Sequence, residues 1–350
     1  MTNRIRIRKP FDRHAHLRRD QMLTTVLPYT LRWCAGAVAM GNLGQEFETS
    51  TIARAIAYRE QILAQIPPGR DFKLAMTCYL TDRINAEEVV RGYEEGVWDA
   101  VKLMFAGPDG TTGAKNGVQD LLGRYPIFAA MEKAGIPLLG HWETVLPDID
   151  LFDREIRSIE CDLAPIVKAF PGLRIVVEHI TDGRSADFVI AAGDNVFATV
   201  TPHHLLVNRN FMFDRGLMCP VNYCKPVPKR EWHRQHICEI VTSGHPRFGD
   251  GTDSAPHDEA AKSRPCGCDA GIFLPKAVEM YATVFDQHHA LERLEAFLST
   301  NFLDLYRAEP STETITLERT PCRVPEKIGN IPVFMGGRAF PWSLVEPRAA

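Results

Sequence analysis

Residues 136–180 read IPLLGHWETVLPDIDLFDREIRSIECDLAPIVKAFPGLRIVVEHI. Two apolar runs, Ile136 to Gly140 and Leu173 to Glu178, each give way to a histidine, His141 and His179. Between them Asp148 to Phe170 carries apolar residues at spacings of three and four, the period of a helix with one buried face. Strand, helix, strand in that order predicts parallel strands joined by a crossover helix.

Working outward, the same alternation recurs. Further strand-like runs are Ile5 to Arg8, Gly36 to Met40, Lys73 to Leu80, Ala100 to Met104 and Val196 to Val200, with a poorer one from Arg247 to Thr252. Helix-period segments start at Thr51, Ala86 and Lys229. Eight strands is the number of a (β/α)₈ TIM barrel. A doubly wound open sheet shows the same alternation, but no Gly-rich fingerprint follows the first strand, which counts against a dinucleotide version. With no repeat and no low-complexity linker, residues 1–350 read as one domain, 311–350 being a peripheral C-terminal extension without chemistry of its own.

The bulk properties narrow the function classes. The 40 Lys and Arg are scattered among 44 Asp and Glu, for a net charge of −4, so neither nucleic acid nor an anionic membrane is an expected partner. No apolar stretch is long enough for a signal peptide or a membrane span. Nine cysteines, an odd number, suit a reducing compartment, and the expectation is a cytoplasmic protein. Cys266-Gly-Cys268 has no matching second pair and reads as a surface loop with free thiols rather than a zinc site.

Active sites of such barrels collect at the C-terminal strand ends. His14 and His16, two apart in an extended segment, project to one side and can face one ion, although an HxH pair alone is as compatible with a solvated loop. Lys102 interrupts the apolar run Trp98 to Phe105. On an open edge it would snorkel to water; inside a closed barrel burial lowers its pKa, and the neutral amine can take up carbon dioxide as a carbamate. His141 and His179 close two further strands, and Gly251-Thr-Asp253-Ser-Ala-Pro-His257 follows the last. Any one of these has a structural explanation. Their order at successive strand ends points to a metal centre.

These residues, together with Leu80-Thr-Asp, Glu178-His-Ile-Thr, Thr201-Pro-His-His-Leu, Asn208-Arg-Asn and Cys266-Gly-Cys, resemble the amidohydrolase superfamily, and within it the shorter, bacterial-type dihydroorotases, over nearly the whole chain. The resemblance implies two Zn²⁺ ions: one held by His14, His16 and Asp253, the other by His141 and His179, bridged by N6-carboxylated Lys102 and a hydroxide. It implies hydrolysis of a cyclic amide, reversibly converting (S)-dihydroorotate to N-carbamoyl-L-aspartate for pyrimidine biosynthesis, with Asp253 as the catalytic proton carrier. Arg18, Asn42 and His257 would grip the ring carboxylate, and Thr111 and Thr112 would sit on a lid. A homodimer is expected by the same analogy. A non-catalytic assembly partner would be expected to have lost ligand positions, and this chain keeps them all.

Several positions depart from the family's wording. Arg13 stands where Trp is usual, Gly140-His-Trp142-Glu replaces Val-His-Gly-Glu, Met104-Phe replaces Tyr-Pro, and Phe248-Gly-Asp250 replaces an apolar run. Lys225 takes the place of an apolar residue near the substrate. These changes are expected to alter pocket shape, and the alternative they leave open is a related cyclic amide or imide, as in hydantoinases and dihydropyrimidinases, on the same metal centre.

Overall fold

The computed structural model describes residues 2–44, 46–107, 115–216, 218–264 and 270–346. Its first strand, β1 (Arg4–Arg8), alternates Arg with Ile and buries only one face. A strand of that kind cannot enter an all-parallel barrel, whose strands are covered on both sides. Instead β1 pairs antiparallel with Thr314–Glu318, which in turn pairs with Ser343–Leu344. The expectation that Ile5 to Arg8 opens the barrel is therefore corrected. The opening strand is β2 (Phe11–Ala15), buried throughout, and it carries His14 itself.

From there the order is β3 (Gly36–Ala39), β4 (Lys73–Tyr79), β5 (Ala100–Met104), β6 (Leu138–His141), β7 (Ile175–Val177), β8 (Val196–Val200) and β9 (Phe248–Asp250), eight parallel strands adjacent in sequence order. Helices cover the outside and are capped locally. Thr51 and Asn85 accept from Arg54 N and Glu88 N, and Gly135 ends helix Tyr125–Ala134 at φ 71°, where a side chain would be strained. The crossover after β6 is helical only from Arg154, and its middle turn, Ile159–Leu163, is a π turn. Pro165, which has no N–H to donate, lies just beyond it, and the wider turn accommodates the lost bond.

Inside the barrel, side chains stack in layers. Ala100, Lys102 and Met104 share one face of β5 because side chains alternate. Ala100 belongs to a floor built from Phe11, Val38, Ala75, Leu139 and Val176 and plugged by Phe302 and Tyr306. Met104 packs with Tyr79 at the mouth. Lys102, 1% exposed, is held between these two apolar layers.

The ring closes between β2 and the turn after β9. Asp253 N donates to His14 O at 2.9 Å, and His16 N donates to Ser254 O at 3.1 Å. Below them the Asp12 carboxylate accepts from Thr252 N at 2.9 Å and from Thr252 Oγ1 at 2.6 Å. Among the described residues no helix is long and apolar enough to cross a membrane.

Candidate metal centre

His14 Nε2, His16 Nε2 and Asp253 Oδ1 converge at the seam, with separations of 3.3 Å between the imidazoles and 3.4 and 3.0 Å from each to the carboxylate. All three residues are buried. The outer nitrogen of His14, Nδ1, donates to Glu178, whose carboxylate also accepts from Thr199 Oγ1 at 3.0 Å. That bond sets the tautomer and leaves the Nε2 lone pair facing inward. Burial alone would raise the Asp253 carboxyl, but His14, a hydrogen bond from His16 and the nearby His179 hold it well below the usual range. Burial likewise lowers His16, to about 3, so its ring is neutral at neutral pH.

A second pair mirrors the first. His141 Nδ1 lies 3.2 Å from His179 Nε2, while His141 Nε2 donates to Glu143 at 2.9 Å. Here too a carboxylate ties the outer nitrogen and the inner one points at its neighbour. The His14 and His179 rings are 5.0 Å apart, so the pairs adjoin. Lys102 Nζ has no hydrogen-bond partner among the described residues, and burial lowers its pKa although Glu178 and Asp253 oppose this. Inward-facing nitrogens on four imidazoles, one carboxylate and an amine without a hydrogen-bond partner among the described residues form a donor set that fits two divalent ions. Arg18, His179 and Asp253 all sit at positive φ (61°, 42° and 47°), a strained backbone state that gathers at this site.

A cavity of about 880 Å³ opens above these residues. Arg18, Asn42, Lys225 and His257 lie on its wall, as does Met104. Arg18 Nη2 is 2.9 Å from His257 Nε2, and Asn42 Oδ1 is buried with no partner among the described residues. Thr111, Thr112, Cys266 and Cys268 lie outside the described residues.

Trp142, Arg13 and Asp250, expected to reshape the pocket, are absent from its described wall. Trp142 is 1% exposed and lies over Gly140, where a Cβ would come within 2.3 Å of the indole. The two departures in Gly140-His-Trp142 thus compensate each other by volume. Arg13 and Asp250, both fully buried, form an ion pair, with the Arg13 guanidinium 4.9 Å from the Phe302 ring centre and bonded to Asn301 O. Positions read as separate anomalies are one interaction.

No family model matches the chain. A dihydroorotase of Erythrobacter litoralis is 45% identical over 349 residues, 98% of this chain and 100% of that protein. One from Yersinia pestis is 46% identical over 345 residues, 97% of each. The chain belongs to the dihydroorotase family. The crystal structure of Saccharomyces cerevisiae dihydroorotase in complex with 5-fluoroorotic acid matches this member of the family with TM-score 0.90 at 27% identity, over 99% of this chain and 100% of that one.

Sequence reasoning missed Glu178, Glu143 and Thr199 in this dihydroorotase-family site. Glu178 was open to discovery: it ends the run Ile175-Val-Val-Glu two residues after Val176, so alternation turns it inward beside the histidines. Glu143 and Thr199 carry no such mark, because each is recognisable only by what it touches.

Proposed function

We propose that this protein hydrolyses (S)-dihydroorotate to N-carbamoyl-L-aspartate, and catalyses the reverse ring closure, in pyrimidine biosynthesis. The observation that carries this reading is one cavity with an acid and four imidazoles on its floor and Arg18, Asn42 and His257 on its wall. The crystal ligand of the yeast relative, 5-fluoroorotic acid, is a pyrimidine ring bearing a carboxylate, which supports the same substrate class.

His14, His16 and Asp253 would hold one zinc ion, His141 and His179 the other, with Lys102 as a carbamate between them. When bound, the ions would polarise the ring carbonyl and bring the pKa of a bound water towards about 7. Glu178 and Glu143 keep the imidazoles in the tautomer that leaves a lone pair inward. Arg18 presents a planar guanidinium to the substrate carboxylate, and His257 and the Asn42 amide N–H complete that end, which orients the ring amide over the floor. Asp253, ionised at neutral pH, accepts the proton of the attacking water and delivers it to the departing ring nitrogen. Lys225 adds a cation on the same wall. The seven described cysteines form no disulfide, which supports a cytoplasmic location. The assembly is taken as a homodimer on family grounds.

Asp253→Asn is expected to keep the fold by circular dichroism and to lose dihydroorotate turnover by 10³-fold or more, on the order of what loss of an essential proton carrier and ligand removes. Full activity in this variant would overturn the role. Faster hydrolysis of a hydantoin or dihydropyrimidine than of dihydroorotate would overturn the substrate, because such rings offer no carboxylate to Arg18, Asn42 and His257.

A further inference from the structure

A second cluster of metal-ligand side chains lies apart from the cavity wall. The short helix Pro202–Leu206 follows β8 and turns His203 and His204 inward, towards Cys224 on the segment before the next helix. All three are buried, at 1%, 4% and 2% exposure, and one ligand atom from each lies within 4.8 Å of the other two. We propose that His203, His204 and Cys224 form a separate binding site for one zinc-class divalent ion.

The geometry supports it in three ways. Cys224 Sγ is 3.7 Å from His204 Nε2. A tetrahedral ion with a Zn–S bond of about 2.3 Å and a Zn–N bond of about 2.0–2.1 Å separates its sulfur and nitrogen ligands by about 3.6 Å. His204 Nδ1 already meets Thr201 Oγ1 at 2.7 Å, the outer hydrogen bond that orients a ligating imidazole, while Nε2 rests on Pro226 O at 2.9 Å and would exchange that carbonyl for the ion. His203 is the anomaly that asks for a ligand: both ring nitrogens are buried with no partner among the described residues. An unpaired buried polar group is expensive, and the ring gains no hydrogen bond from the neighbouring His204 and Phe334 rings at 4.1 and 5.9 Å.

Chemistry agrees with geometry. Burial pushes the Cys224 thiol up to about 12, so only a bound cation would make it a thiolate, with its proton released to solvent. Burial also keeps His203 and His204 neutral, with lone pairs available. Three protein ligands leave the fourth position to water.

Sulfur makes the site distinguishable, since none of the six residues assigned to the catalytic centre contributes it. The full-length protein is stripped of metal and titrated with Co²⁺, reading metal per chain and the thiolate-to-cobalt charge-transfer band in the near ultraviolet. The wild type is expected to show the band and to bind about one ion per chain more than H203Q or C224S, both of which lose the band. A C266S/C268S double variant is expected to keep it. Circular dichroism checks that each variant folds, and H203Q preserves side-chain polarity should C224S fail. No band in the cobalt-saturated wild type, or a band that survives C224S and vanishes in C266S/C268S, would overturn the site.

Discussion

Glu178 is absent from the described cavity wall, yet it governs what His14 can do. Its carboxylate accepts the hydrogen bond from Nδ1–H and leaves the Nε2 lone pair aimed at His16 and Asp253. Glu178→Gln removes the charge while keeping the shape. Metal affinity, measured by competition with a chelator, is expected to fall about 10–100-fold, the usual consequence of losing such an outer carboxylate; unchanged affinity would show that His14 is oriented by packing alone. Arg13 and Asp250 pose the opposite problem, since neither approaches the cavity and both are sealed from water. Arg13→Ala strands a buried carboxylate and is expected to destabilise by about 3–5 kcal/mol in urea denaturation. Arg13→Trp combined with Asp250→Leu is expected to recover most of that loss, because apolar replacements remove both buried charges together.

On β6 the same logic works through volume. The indole of Trp142 fills the space over Gly140, so Gly140→Val drives a side chain into it and is expected to destabilise by about 1–3 kcal/mol. Trp142→Gly alone opens a cavity, at a loss of at least about 3–5 kcal/mol by analogy with Trp→Ala, and the double variant is expected to do better than the sum of the singles. A double-mutant cycle by thermal unfolding measures this, and strict additivity would mean the two positions do not share space. Strands and candidate site residues were legible in the sequence because both follow local rules: apolar runs mark β3 to β8, His141 and His179 fall where two of those runs stop, and Lys102 interrupts a third. β1 was misread because a run of four residues shows hydrophobicity but not partner, and Ile5 and Ile7 bury one face against a strand some 300 residues away. The Gly140–Trp142 and Arg13–Asp250 pairs were seen only as departures. What joins each pair is contact in space, which periodicity along a chain does not report.

Taken as a whole, the molecule has packed four histidines where protons are unwelcome. Burial lowers His16 and His203 to about 3 from 6.5, and His179 and His204 well below 6.5. In the unfolded chain the same rings bind protons near 6.5, so below that value the unfolded state takes up protons that the native state refuses. Stability of the metal-free protein is therefore complete above about pH 6.5 and lost progressively as the pH falls towards 3. The urea midpoint is expected to be lower at about pH 5 than at about pH 7.5, and a flat profile would show that these rings are not buried in solution. The seam between β2 and β9 adds a different consequence, one of timing. His14 and His16 leave the ribosome early, whereas Thr252, which locks onto Asp12, follows 240 residues behind it, with Asp253 next in line. Throughout synthesis the two imidazoles wait without their acid, and a chain stalled or cut before Thr252 has neither a shut ring nor the proposed proton carrier. The proposed metal-binding triad at the seam, His14, His16 and Asp253, thus comes together only with the last turn of the barrel.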